Sequence, residues 1–324
     1  MGRRRAVAVI LATVGLLTSC GYVAPSTGLQ TVSGGLSYLS TPQNRTGGAL
    51  ISLVVANTDN IFVMPGVRIY DVMYRSRGLR CEGYLDVPDG KGPYPLLMVL
   101  HGGYVFAVPS HDPDGAVPAN AAEAAVMAQT STAVFYPLYA GYGHSQGSSG
   151  DAFDDFVDVM NGLKALTHIE GLHLSPSIYI VGYSLGGDIA GMIITHDRRV
   201  KAAALVSPWP GAVVAEQWIS MHQSKIADGK LFYDYLVNHE GRNLHASWYV
   251  RNSFDYGAVH IPVLLIGGQS DSINPPALLR TMYLKLRSAD KRVSTELVPG
   301  GHVPTNTGFI MQQWFSRLGV RLEL

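Results

Sequence analysis

Short apolar runs separated by turn residues recur along the chain from residue 67 onward, with amphipathic stretches between several of them. The first two runs flank Ser76-Arg77-Gly78 and predict a β-hairpin over residues 67–87. Later runs predict strands at residues 94–100, 132–138, 177–181, 200–207, 261–267 and 294–299. Helices are predicted at residues 120–129, 151–166, 188–194 and 309–318. This alternation predicts one α/β domain with a mostly parallel sheet and helices on both faces.

The run at residues 177–181 leads directly into Gly182-Tyr183-Ser184-Leu185-Gly186, and helix-compatible residues follow. Strand, sharp turn and helix are the context that a G-x-S-x-G nucleophile elbow requires. Gly182 and Gly186 must lack side chains, because a Cβ there would strike the neighbouring strand or helix. Ser184 then stands at the head of a helix, where anionic charge is favoured. The motif also arises by chance in turns, so its interpretation as a nucleophile depends on the rest of the chain.

The strand at residues 94–100 ends in His101-Gly102-Gly103-Tyr104. This H-G-G sequence resembles the oxyanion-hole turn of lipases, esterases and serine peptidases of the α/β-hydrolase fold. The main-chain N–H of Gly103, with that of Tyr104 as the alternative, would pair with the N–H of Leu185 to hold an oxyanion. His101 is interpreted as a structural residue of the turn. The competing interpretation of the motif is a glycine-rich turn at a strand end.

A candidate acid and a candidate base follow the two last predicted strands. Asp271 lies in the loop after residues 261–267, and His302 follows Gly300-Gly301 after the final strand. The chain order Ser184, Asp271, His302 is the one expected for this fold. Asp255 is the weaker candidate acid because it precedes its strand. The alternatives are a loop-capping role for Asp271 and a solvated loop position for His302.

Residues 67–324 together resemble the α/β-hydrolase fold, and most closely its prolyl-oligopeptidase-like branch. The resemblance rests on the motifs at residues 83–85, 94–96, 101–103, 182–187, 268–271 and 301–302. It implies acyl transfer to water with Ser184 as nucleophile, His302 as base and Asp271 as orienting acid, and it implies no metal or organic cofactor.

One departure from that branch bears on the substrate. Its oligopeptidases usually carry a large β-propeller that gates substrate size, whereas about 45 residues stand between Cys20 and residue 67 here. A small-molecule ester is therefore the expected substrate. A serine peptidase acting on short peptides is the first alternative, and an inactive surface scaffold lipoprotein is the second.

The segment at residues 208–260 separates two predicted strands and is rich in aromatic residues. Insertions of this length between sheet strands are typical of a cap or a functional loop over the active site. The aromatic side chains either contact the substrate or pack the cap against the core.

The amino terminus has the pattern of an export signal. Arg3-Arg4-Arg5 precedes an apolar stretch at residues 6–17, and Leu17-Thr18-Ser19-Cys20 resembles the bacterial lipobox. We expect residues 1–19 to be a signal peptide and Cys20 to be lipidated. Residues 20–66 are expected to be a tether and N-terminal extension that joins a domain at residues 67–324 to a membrane, and the apolar residues 49–55 within it suit either a strand or a helix. Gly21 after the cysteine resembles the default for outer-membrane sorting, so the expected location is the bacterial cell envelope. The alternative is an ordinary signal peptide with an incidental cysteine.

Composition excludes some other classes of function. Basic and acidic residues number 24 each, and no basic tract follows the first five residues, so no nucleic-acid partner is expected. Cys20 and Cys81 are the only cysteines, and Cys81 is expected to pack as a small apolar residue. The alternative of a metal site at His111, Asp112 and Asp114 is less consistent with their close spacing than a turn.

Overall fold

The protein is described here by a computed structural model. It describes residues 44–57, 65–103, 132–222, 234, 237–238, 241–289 and 292–320. The predicted signal peptide and Cys20, the predicted helix at residues 120–129, the cluster around His111 and the candidate donor Tyr104 lie outside these ranges.

The described residues form nine strands and six α-helices. The strands are β1 (Leu50–Val55), β2 (Val67–Ser76), β3 (Leu79–Pro88), β4 (Tyr94–Leu100), β5 (Ala133–Leu138), β6 (Leu174–Tyr183), β7 (Val200–Val206), β8 (Val263–Gly268) and β9 (Val293–Val298). The helices are α1 (Ala152–Leu166), α2 (Leu185–His196), α3 (Ala212–His222), α4 (Ser247–Arg251), α5 (Pro276–Ser288) and α6 (Thr307–Arg317). Each strand predicted above is confirmed with small shifts of its ends.

All nine strands belong to one sheet, in the order β1-β2-β3-β5-β4-β6-β7-β8-β9. The pairs among β1, β2, β3 and β5 are antiparallel, and every pair from β5 through β4 to β9 is parallel. Arg77 and Gly78 form the two-residue turn of the β2–β3 hairpin. Their φ angles are 49° and 83°, and a type I′ hairpin turn requires positive φ at both central residues. The sheet is thus mostly parallel with an antiparallel edge.

The central parallel strands are covered on both faces. Every residue of β5 and β8 is buried, and so is nearly all of β7. Because successive side chains of a strand point to opposite faces, such strands lie between two layers of structure. Helix α1 packs on β2 and α2, and α2 packs on β6 and β7. Cys81 on β3 is fully buried and reduced, as expected of a packing residue.

The described part of residues 208–260 contains α3, α4 and a 3₁₀ turn at Tyr256–Ala258. Trp209, Trp218, Tyr249 and Phe254 are buried in the core, so these four aromatics pack the segment against the sheet domain. Arg251 pairs with Asp151, the N-cap residue of α1, at 2.8 Å. Within the described ranges, no helix is long and apolar enough to cross a membrane.

Candidate active site

The predicted nucleophile sits in a strained turn between β6 and α2. Ser184 has φ of 51° and ψ of −113°, a backbone conformation that is rare for a residue with a side chain. Main-chain hydrogen bonds hold it there: the Ser184 N–H donates to the Val206 carbonyl at 2.9 Å, and the Trp209 N–H donates to the Ser184 carbonyl at 2.9 Å. The turn is therefore fixed by the neighbouring strand β7 and its loop.

The two glycines of the motif are required by close backbone contacts. A Cβ on Gly182 would overlap the carbonyl oxygen of Gly186, and one on Gly186 would overlap the carbonyl oxygens of Leu100 and His101. Leu100 ends β4 and lies beside Gly182 in the register of β4 with β6. The expectation that any side chain here would strike a neighbouring element is confirmed, and the same packing brings the end of β4 to the elbow.

Ser184, His302 and Asp271 form a continuous line of hydrogen bonds. The Ser184 hydroxyl lies 2.9 Å from Nε2 of His302. On the other side of the ring, Nδ1 of His302 lies 3.0 Å from Oδ2 and 3.2 Å from Oδ1 of Asp271. With the Nδ1–H donating to the carboxylate, Nε2 is left as the acceptor for the serine hydroxyl. The structure therefore brings together the three side chains that the sequence singled out.

The carboxylate of Asp271 is buried and fixed by its own loop. Its Oδ1 accepts hydrogen bonds from the backbone N–H groups of Ile273 at 2.9 Å and Asn274 at 2.8 Å. The Asn274 side chain in turn donates to the Ser207 carbonyl at 2.7 Å, which ties the loop to the end of β7. Asn274 is a supporting residue that the sequence reasoning missed.

Two backbone segments carrying the candidate acid and base are in direct contact. A Cβ on Gly268 would overlap the carbonyl oxygens of Gly300 and Gly301, and the Ser270 N–H donates to the Gly300 carbonyl at 2.9 Å. This approach places His302 next to the Asp271 loop. Asp255, the weaker candidate acid, instead caps the 3₁₀ turn by accepting the Gly257 N–H at 2.8 Å.

The H-G-G turn lies against the nucleophile. A Cβ on Gly102 would lie 3.3 Å from the Ser184 Cβ, so the turn packs directly on the serine. His101 is 1% exposed, its Nδ1–H donates to the Gly102 carbonyl at 2.7 Å, and its ring stacks on Tyr139 at 3.9 Å. These contacts orient the turn, as expected of a structural histidine. Leu185 opens α2, so its N–H is among the unpaired donors of that helix terminus.

Asp188, in the first turn of α2, is buried beneath the elbow. Burial raises the pKa of its carboxyl well above the usual range. Neither carboxyl oxygen has a hydrogen-bond partner among the described residues. The raised pKa favours the uncharged form of Asp188, which adds no negative charge next to the site where an oxyanion would form.

Two exposed apolar side chains are close in sequence to the candidate acid and base. Ile273, two residues after Asp271, is 41% exposed, and Val303, next to His302, is 86% exposed. We call these two residues the apolar rim. Across the described ranges, no group of three or more His, Cys, Asp or Glu side chains is arranged to hold a metal ion.

Comparison with known proteins places this site in a family context. Residues 120–315, more than half of the chain, match the model of the prolyl oligopeptidase family. The uncharacterized peptidase YtmA of Bacillus subtilis is 29% identical over 233 residues, which cover 71% of this chain and 83% of that protein.

Solved structures share the fold. Pyrococcus horikoshii acylaminoacyl peptidase has a TM-score of 0.62 at 18% identity, covering 80% of this chain and 42% of that one, so the chain spans less than half of its length. Acetyl xylan esterase 1 from Thermoanaerobacterium has a TM-score of 0.57 at 17% identity, covering 88% of this chain and 94% of that one. The fold is that of the α/β-hydrolases, and the chain belongs to the prolyl oligopeptidase family of serine hydrolases.

Proposed function

We propose that this chain hydrolyses carboxylic esters through an acyl-enzyme formed on Ser184. The observation that carries the proposal is the line of hydrogen bonds from the Ser184 hydroxyl through His302 to Asp271, at 2.9 and 3.0 Å. Hydrogen bonds of this length from nucleophile to base, and from base to orienting acid, are the signature of an activated serine.

The proposed mechanism has two half-reactions. The Ser184 oxygen attacks the ester carbonyl while Nε2 of His302 takes its proton, and the tetrahedral intermediate collapses as that proton passes to the leaving alcohol. Water then attacks the acyl-serine, again with His302 as base, and releases the acid and the free serine. Asp271 holds the Nδ1–H tautomer and stabilises the imidazolium formed in each half. The N–H groups of Gly103 and Leu185 are the proposed oxyanion donors.

Two observations support an ester rather than a peptide as the substrate. The acetyl xylan esterase aligns over almost its full length, whereas the acylaminoacyl peptidase aligns over 42% of its chain. The apolar rim at Ile273 and Val303 also suits an acyl or alkoxy group without charge. A peptidase is the second candidate, supported by the family model and by the name of the Bacillus relative.

A panel of p-nitrophenyl esters and aminoacyl p-nitroanilides tests the proposal. We expect kcat/KM to be higher for the best ester than for the best anilide, and Ser184→Ala to lower kcat by at least about 10⁴-fold. Ser294→Ala, which alters an exposed serine on β9, is the matched control and should leave kcat unchanged. Faster anilide cleavage would show a peptidase, and folded wild-type protein that cleaves neither class would support the inactive scaffold.

A further inference from the structure

A buried carboxylate outside the Ser-His-Asp line holds the loop that packs on the oxyanion turn. Glu82 on β3 is 1% exposed. It lies opposite Leu138, the last residue of β5, in the antiparallel register of the two strands. Because β5 runs parallel to β4, Glu82 lies at the edge of the sheet where β4 ends in the H-G-G turn.

Glu82 binds the loop that follows β5, at residues 139–147, through two hydrogen bonds. Its Oε2 accepts the backbone N–H of His144 at 2.8 Å, and its Oε1 accepts Nδ1–H of the same residue at 2.9 Å. The backbone N–H of Glu82 also donates to the Ser145 hydroxyl at 2.9 Å, and that hydroxyl donates to the Leu138 carbonyl at 2.9 Å. The carboxylate and the backbone N–H of Glu82 therefore both bind the loop at residues 139–147.

Glu82 has titratable neighbours on β2 and in the loop at residues 139–147. Asp71 on β2 lies diagonally across the strand pair on the same face, and Tyr84 is the next residue of β3 on that face. Burial first, and then the Glu82 carboxylate, raises the pKa of Asp71 to about 6. The hydrogen bond to Glu82 raises the pKa of His144, whose ring is otherwise exposed to solvent. The contact with Glu82 thus favours the protonated form of the His144 ring.

The loop at residues 139–147 contacts the H-G-G turn through Tyr142. Tyr142, two residues before His144, is 2% exposed, and its ring meets that of His101 edge-on at 4.8 Å. Its hydroxyl occupies the space that a Cβ on residue 103 would take. Tyr142 therefore limits how the Gly103 peptide can lie, and Glu82 fixes the loop that carries Tyr142.

We propose that Glu82 and Tyr142 are positioning residues that fix the Gly103 peptide as an oxyanion donor. This inference rests on the proposed function, because it assumes that Gly103 serves the acyl-transfer site. An oxyanion donor acts in the transition state, so its misplacement lowers kcat and leaves KM nearly unchanged. Removal of a whole donor costs about 10²- to 10³-fold in kcat, and displacement of one should cost less.

Kinetics of Glu82→Gln, Tyr142→Phe and the double variant on the best ester test the inference. We expect each single variant to lower kcat about 10-fold with KM within about twofold of the wild type. Because both residues act through one loop, the double variant should lose no more kcat than the more impaired of the two single variants does. Glu296→Gln, on an exposed glutamate of β9, is the matched control and should match the wild type.

Single variants that retain wild-type kcat, or losses that multiply in the double variant, would overturn the inference. If Glu82→Gln does not fold, Tyr142→Phe decides alone, because it removes one hydroxyl and leaves Glu82 and the ring in place. Reaction of the wild type with a fluorophosphonate separates the two hypotheses. A reactive wild type with fully active variants overturns this inference alone, whereas an unreactive wild type overturns the proposed function and this inference with it.

Discussion

At the scale of single residues, both oxygens of Asp271 lie near Nδ1 of His302, but Oδ1 also binds the backbone of its own loop. Oδ1 accepts two backbone N–H groups, whereas Oδ2 makes the shorter contact with Nδ1 of His302. The loop thus dictates which oxygen faces the loop backbone and which faces the imidazole. A side chain at this position must accept hydrogen bonds on both sides.

This division predicts the effect of Asp271→Asn. The two backbone donors will retain the amide oxygen at the Oδ1 position, so the amide NH₂ will face His302. Nδ1 must then accept, and the proton moves to Nε2, where it prevents the ring from taking the serine proton. We expect kcat to fall by about 10⁴-fold at pH 7 in steady-state ester hydrolysis.

Asp255→Asn is the matched control for that change, because Asp255 only caps a 3₁₀ turn. It should retain nearly full kcat. A loss of less than about tenfold in Asp271→Asn would contradict the assigned role of Asp271, since a wrong tautomer is far more damaging than that.

At the scale of elements, strand β3 combines a positioning role with a buried acid. Asp86 is 2% exposed and lies opposite Val134 of β5. Burial raises the pKa of its carboxyl to about 8, so the folded chain holds a proton that the unfolded chain releases near pH 4. Between these values the folded state binds more protons, and its stability must fall as the pH rises.

Asp86→Asn should therefore stabilise the protein at neutral pH and flatten its pH dependence. Each pH unit between about 4 and 8 costs the wild type up to about 1.4 kcal/mol from this one group, and asparagine removes that cost. Urea unfolding at several pH values measures it. A variant with the same or a steeper loss of stability from pH 5 to pH 8 would show that Asp86 is ionised in the folded protein.

The strands and helices were not equally predictable from the sequence. Strands β4 to β8 were predictable because each contains a short apolar run bounded by turn residues. Residues 49–55 suited either a strand or a helix, and pairing with β2 makes residues 50–55 the strand β1. Helix α5 was not predicted: its buried residues are spaced along a sequence that is polar elsewhere, and Pro275-Pro276 at its start suggests a turn as readily as a helix start.

At the scale of the whole molecule, parallel topology explains why the candidate site was readable. Ser184, Asp271 and His302 each follow a strand of the same parallel array, and such strands end at one edge of the sheet. Chain order and strand ends were therefore enough to propose that the three side chains meet, without any knowledge of their distances.

Residues that depend on long-range register were not predictable in this way. Glu82 reaches the loop at residues 139–147 only through the antiparallel pairing of β3 with β5, and Asn274 reaches the Ser207 carbonyl across two loops. No local spacing encodes either contact. Lipidation of Cys20, the role of residues 1–66 and the envelope location stay predictions.

The central claim is that Ser184 is an activated nucleophile, and covalent labelling tests it most directly. The protein is treated with a fluorophosphonate, digested, and the labelled peptide identified by mass spectrometry. We expect one adduct per chain, on Ser184, that is absent in Ser184→Ala and forms much more slowly in His302→Ala. Folded wild-type protein that takes up no probe, or that is labelled at another residue, would contradict the account.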